Sequence, residues 1–311
     1  MTRSLRHITL LGVPMEEGSG RRGAAMGPAA LRIAGIIETL QDLGHTITDQ
    51  GDIAPAPTDD LALVENANNY HAVAGFTRAL EAATYALAKS GSCPVILGGD
   101  HALSMGSVSG MARYAQDMNR PLFLLWLDAH ADFNSPKTSP SGNIHGMPVA
   151  YVCGKADLGN ILPTDRPIID AKRVFQVGIR SVDTRERGEI AAHGVTVFDM
   201  RSIDENGIAH IMKTILETVA LENGLLHVSF DVDFLDPDLA PGVGTTVPGG
   251  ATYREAHLIM EMLCDSGLVS SLDLVELNPY LDDRGKSARI LVEMTASLFG
   301  RRIIDRVTHS A

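Results

Sequence analysis

Short apolar runs of strand length alternate along the chain with longer stretches in which apolar residues recur at helical spacing. The strand candidates are HITLLGVP (7–14), PVILGGDH (94–101), PLFLLWLDAH (121–130), RVFQVGIRSVD (173–183), LLHVSFDVDFLDP (225–237) and VSSLDLVELNP (269–279). Between them, NYHAVAGFTRALEAATYALAKSG (69–91) and TYREAHLIMEMLCDSG (252–267) carry a helical period, and each closes on a glycine suited to a C-cap. Unbroken apolar strands are those buried on both faces, so the pattern predicts an α/β fold, three layers α/β/α around a central, mostly parallel sheet. No Pro/Ser-rich linker or charge block divides residues 1–311, which are expected to form one domain.

Five of the strand candidates pass from apolar to polar within a residue or two. They end at Asp100-His101, Asp128-Ala129-His130, Arg180-Ser181-Val182-Asp183, Asp231-Val232-Asp233 and Glu276-Leu277-Asn278. In an open parallel sheet, ligands bind beyond the carboxyl ends of the strands, so these clusters are expected to share one crevice. WLDAHADFN (126–134) sharpens the expectation, because alternate side chains of an extended chain share a face about 6.6 Å apart. Asp128, His130 and Asp132 would then converge.

Gathering His101, Asp128, His130, Asp132, Asp231 and Asp233 brings four carboxylates together, and these cannot all stay ionised without a counter-charge. Two divalent cations would balance them. Two imidazoles with carboxylate oxygens and no thiolate suit manganese-like ions rather than structural zinc. A pair of such ions roughly 3.5 to 4 Å apart turns a bridging water into a hydroxide nucleophile, which is a hydrolase design. Asp100 reads as a cap or turn residue before a helical stretch and Asp236 as turn chemistry. His7, His45, His71, His193, His210, His227, His257 and His309 stand outside the cluster and are assigned surface or core roles.

Composition narrows the partners. The 26 basic and 38 acidic residues leave a net charge of -12, which argues against nucleic acid or an anionic membrane and suits a small cationic ligand. Three cysteines without CxxC spacing point to a reducing cytoplasm rather than a disulfide framework, and no signal peptide or membrane span is legible. Gly18 to Gly23 matches the dinucleotide pattern GxGxxG, with Asp49 further on. Against it, Val13 to Glu17 separate the match from the Gly12 of the strand, and Glu16 and Glu17 would repel a pyrophosphate. The glycines are expected to shape the rim of the site instead.

GSGRRGAAMGPAALR, GGDHALSMGS, DAHADFNSPKTSPSGNIHGMP, SFDVDFLDPDLAPGVGT and LDLVELNP resemble, in order and spacing, the signature segments of the ureohydrolase family, and most closely those of the arginases. The resemblance spans most of the chain and implies an arginase-like fold with two manganese ions per subunit. By position, His101 and Asp132 would bind one ion, His130 and Asp233 the other, and Asp128 and Asp231 would bridge them. Asp132, His145 and Glu276 would act in catalysis, His145 as proton shuttle and Glu276 as the carboxylate that holds the guanidinium. Asn134 and Ser141 match contacts to an α-carboxylate, Asp183 and Glu186 positions near an α-amino group, and Thr245 a residue lining the substrate side. The implied reaction is hydrolysis of L-arginine to L-ornithine and urea by a hydroxide held between the ions, with an alkaline rate optimum. The alternative is another guanidine, as in agmatinase- or guanidinobutyrase-like relatives. The assembly implied is a homo-oligomer, trimer or hexamer. The chain departs from the family pattern at Phe234, after the DVD, at VDTRERGE after Asp183, and at Thr246-Val247.

Overall fold

All six apolar runs form strands, and all pair in parallel. In the computed structural model, which describes residues 5–302 and 304, they are β1 (His7–Val13), β3 (Cys93–Gly98), β4 (Leu122–Leu127), β5 (Val174–Ile179), β7 (Leu225–Asp231) and β8 (Val269–Val275). His309 lies outside the described residues. Two further strands, β2 (Thr46–Asp52) and β6 (Thr196–Asp199), complete an eight-stranded sheet in the order β2-β1-β3-β8-β7-β4-β5-β6. These two were absent from the sequence reading because they are the edges of the sheet. Their residues are largely exposed or half-buried, so TITDQGD and TVFD show no apolar run.

The helices are α1 (Gly27–Ile33), α2 (Ile36–Asp42), α3 (Tyr70–Lys89), α4 (Ser104–Asp117), α5 (Pro148–Val152), α6 (Thr184–His193), α7 (Met200–Asn206), α8 (Ile208–Leu221), α9 (Tyr253–Ser266) and α10 (Lys286–Leu298). Each strand sends alternate side chains to opposite faces, and β4 shows why its run is unbroken. Phe123, Leu125 and Leu127 join α1, α2 and α7 to α10 in one core, while Leu122, Leu124 and Trp126 join α3 to α6 in the other. With both faces covered, no position on β4 is left for a polar residue. The glycine after α9, Gly267, takes the left-handed conformation that closes the helix, as its sequence suggested.

The structure places the five strands with polar ends side by side. β3, β8, β7, β4 and β5 are consecutive in the sheet although their order in the chain differs. Among the described residues no helix is long and apolar enough to cross a membrane, and Cys93, Cys153 and Cys264 are free thiols.

One departure noted in the sequence has a packing explanation. The ring of Phe234 is fully buried and lies over Gly178, whose φ is +93° and where an added Cβ would meet the ring at 2.5 Å. The bulky residue after the DVD therefore depends on a glycine in the β5 irregularity. Gly178→Ala, strained in its backbone and overpacked against Phe234, is expected to lower stability by about 2 to 4 kcal/mol, read from urea denaturation.

Candidate metal centre and cleft

The strands stop earlier than the sequence suggested, and their polar tails turn out of the sheet. β4 ends at Leu127, so Asp128, His130 and Asp132 lie on a loop and not on one extended face. Their convergence comes from turning. Asp132 adopts φ +49°, the left-handed region, and His130 forms a single bridge to Ser181 beyond β5. Glu276 after β8 is likewise left-handed, at φ +62°. Such backbone is uncommon for these residue types and is held here by surrounding contacts.

Two groups able to hold a metal ion form among the described residues, His101 with Asp128 and Asp231, and Asp128 with His130 and Asp233. Asp128 belongs to both. Its Oδ2 is 3.0 Å from His101 Nδ1 and its Oδ1 is 3.5 Å from His130 Nδ1, so one carboxylate spans two imidazoles. Asp231 Oδ2 lies 3.0 Å and Asp132 Oδ2 3.4 Å from His101 Nδ1, and Asp233 Oδ2 lies 3.0 Å from His130 Nδ1. His101 Nδ1 and Asp128 Oδ2 are buried without a hydrogen-bond partner, an arrangement a cation between them would satisfy. The donor set, imidazole and carboxylate only, fits a divalent ion of oxygen and nitrogen preference.

Backbone and neighbouring groups aim these ligands. Asp128 Oδ1 accepts the N–H of His130, Asp231 Oδ1 that of Asp233, and Asp233 Oδ1 that of Ala129. The His101 ring stacks on Trp126, with centroids 3.8 Å apart. Burial and the repulsion of neighbouring carboxylates raise Asp132, Asp231 and Asp233. Asp128 goes the other way, well below the usual range, because the two imidazoles beside it overcome its burial. The same pairing raises His101 and His130 against the opposing effect of burial.

Above the metal groups opens a cavity of about 150 Å³ lined by Asn134, Ser141, His145, Asp183, Glu186, Thr245 and Glu276, together with His130, Asp132 and Asp231. His101, Asp128 and Asp233 lie beneath its floor, buried. Glu276 accepts from His145 Nδ1 at 2.9 Å and from the backbone N–H of His101 at 2.9 Å. Burial raises its carboxyl, but His145 outweighs that and leaves it below its ordinary value. Asp183 caps α6, and Glu186 in the first turn completes the capping box. Glu186 also accepts the N–H of Phe133 at 2.8 Å, and burial pushes it up to about 7. Asn134 donates to Asp183 at 3.0 Å, and Thr245 donates to Asp233 at 3.1 Å.

Four lining residues were not singled out in the sequence: Ser139, Asn143, Gly146 and Ser181. Asn143 and Gly146 lie within the SGNIHG segment around His145, and Ser181 sits in the polar tail of β5, so proximity to singled-out residues could have found them. Arg180 stands in the same tail, but its role was not legible there. Its guanidinium reaches the carbonyls of Asp233 and Val247, 2.6 and 2.7 Å from Nη2, and so joins the β7 tail to the loop bearing Thr245.

The glycine-rich segment behaves as a rim. Asp100, the cap of a short 3-10 turn at His101–Leu103, accepts the N–H groups of Ala102, Gly18 and Ser19. Ser19, Gly20 and Arg21 then line a second chamber of about 190 Å³ that shares Asn143, His145, Thr245 and Glu276 with the first. Asp236 is a turn residue, accepting the N–H groups of Asp238, Gly249 and Gly250.

The family model described as Arginase family matches residues 6–300. The chain is 52% identical over 306 residues to the arginase of Brucella melitensis, covering 98% of this chain and 99% of that one. Among solved structures it resembles the arginase of Bacillus caldovelox, with TM-score 0.89, 39% identity and coverage of 96% and 100%. It also resembles Entamoeba histolytica arginase in complex with L-ornithine, with TM-score 0.85, 29% identity and coverage of 96% and 99%.

The raised imidazoles set the sign of a pH dependence. Against burial, pairing with carboxylates raises His130 to about 12 and shifts His101 in the same direction, and a ligand nitrogen must lose its proton to bind a metal. Metal affinity is therefore expected to rise with pH. At pH 7, calorimetry in buffers of differing ionisation enthalpy is expected to show net proton release on loading.

Proposed function

The chain belongs to the arginase family, and from that premise we propose that it hydrolyses L-arginine to L-ornithine and urea with two manganese ions bound by His101, Asp128, His130, Asp132, Asp231 and Asp233. The observation that carries the reading is Glu276. A buried carboxylate, still ionised, stands at the edge of a metal cradle and faces a cleft of polar residues, which is what a guanidinium requires. The ions, when bound, supply an acidified water and positive charge beside the reacting carbon.

The residues of this chain account for the rest. Glu276 takes the guanidinium in place of His145, its partner in the free protein. His145, relieved of that carboxylate, loses the interaction that raised it and becomes the better acid. Water adds to the guanidinium carbon, the bond from that carbon to the side-chain nitrogen breaks, and His145 passes a proton to the leaving amine. The products are urea and ornithine.

At the far end of the cleft, Asn134 and Ser141 suit an α-carboxylate, and Asp183 with Glu186 an α-amino group. These polar groups favour arginine over agmatine, whose missing carboxylate would leave donors unmet. The negative net charge accords with a cationic substrate, and the free thiols accord with a reducing cytoplasm. A homo-oligomer, trimer or hexamer, remains the assembly we infer from the family resemblance, with one domain per chain.

The test is urea release by the manganese-loaded protein. L-arginine is expected to exceed agmatine in kcat/KM on the order of a thousandfold or more, with a rate optimum on the alkaline side. Glu276→Gln is expected to lower kcat/KM for arginine on the order of a hundredfold. Urea mainly from agmatine would overturn the substrate assignment.

A further inference from the structure

Beneath the metal groups, the side of β7 that carries Asp231 stays polar down the strand. His227, Ser229 and Asp231 alternate along it, and Ser271 and Asp273 alternate on neighbouring β8. All five are buried between the sheet and α4, which contributes Ser104 and Ser107. A column of polar groups inside an apolar core is costly unless its members satisfy one another. These do. His101 Nε2 lies 2.8 Å from Ser229 Oγ, which lies 3.3 Å from Ser104 Oγ. Ser104 donates to Asp273 Oδ2 at 2.8 Å, Ser107 donates to the same oxygen at 2.6 Å, and His227 Nε2 is 3.1 Å from it.

The hydrogens give this chain a direction. An ionised carboxylate only accepts, so both serines of α4 point their hydroxyl hydrogens at Asp273. Ser104, its hydrogen committed, receives from Ser229. Ser229, its hydrogen committed in turn, receives from His101, and the ring proton must then sit on Nε2. Nδ1 is left with a lone pair facing Asp128, Asp132 and Asp231. With the opposite tautomer Ser229 would donate to the ring, and then either the Ser229–Ser104 bond is lost or Ser104 turns its hydrogen away from Asp273.

We propose that Asp273 is a positioning residue for the metal centre, holding His101 through Ser104 and Ser229 in the tautomer that presents Nδ1 to an ion. The proposal rests on the reading of His101 as a metal ligand. It assigns a role to a carboxylate that touches neither the cleft nor the metal groups.

Asp273→Asn keeps the shape but replaces the charged acceptor with a weaker amide oxygen, and Ser104→Ala cuts the chain at its middle. Manganese binding is followed by equilibrium dialysis on the full chain, counting ions per protein. The unaltered protein binds two. In each variant one ion is expected to weaken by about 10- to 100-fold while the other holds. The double variant is expected to be no worse than either single one, because both interrupt the same path. Unchanged affinity at both sites in Ser104→Ala with a native circular dichroism spectrum overturns the proposal, and so does an equal loss at both sites, the mark of a merely structural role. Should Asp273→Asn fail to fold, Ser104→Ala decides by the same outcomes. No manganese bound by the unaltered protein would remove the metal reading, and the proposal with it.

Discussion

Four carboxylates buried side by side repel one another, and everything around this centre answers to that repulsion. Asp128 relieves part of it by facing both imidazoles, and it alone of the four is driven below its usual range. Asp132, Asp231 and Asp233 are raised, the sign of negative charge lacking a full complement. Bound metal would complete the balance. The protein itself holds the groups in place by other means: backbone N–H donors on Asp128, Asp231 and Asp233, the Trp126 ring against His101, and two cores that lock the strands beneath.

Six of eight strands were legible as apolar runs, because burial on both faces leaves a signal that periodicity detects. The edge strands β2 and β6 were not, since pairing on one side while facing solvent demands no such run. The site was legible for a related reason. Polar residues placed where an apolar strand ends are conspicuous, and five such endings pointed to one crevice. What the sequence did not disclose was the backbone that brings them together. A strand-like reading of Asp128, His130 and Asp132 foresaw their convergence but not the left-handed turn at Asp132 that achieves it.

Residues acting through others were harder to see. Arg180 satisfies carbonyls, which leave no mark in a sequence. His227 fell among the histidines given surface or core roles, and it is indeed wholly buried. Its alternation with Ser229 and Asp231 was present in the letters, yet only the facing serines of α4 and Asp273 on the adjoining strand give that alternation a meaning. Asp100 illustrates the intermediate case. It caps the turn beside it, as expected, while also reaching back more than eighty positions to fasten the glycine-rich rim.

The position of β8 has a consequence for biosynthesis. It is the last strand in the chain but lies in the middle of the sheet, between β3 and β7. Until residues 269–275 leave the ribosome, the sheet is two fragments with no shared edge, each exposing a bare strand that the missing one will cover. Final assembly is thus an insertion and not an accretion, which prolongs the interval in which nascent chains are open to mispairing and to chaperones. It also divides the centre, with His101 on one fragment and His130 and Asp233 on the other. The group around His101 is thus completed only when β8 joins the fragments, whereas Asp128, His130 and Asp233 already share one of them.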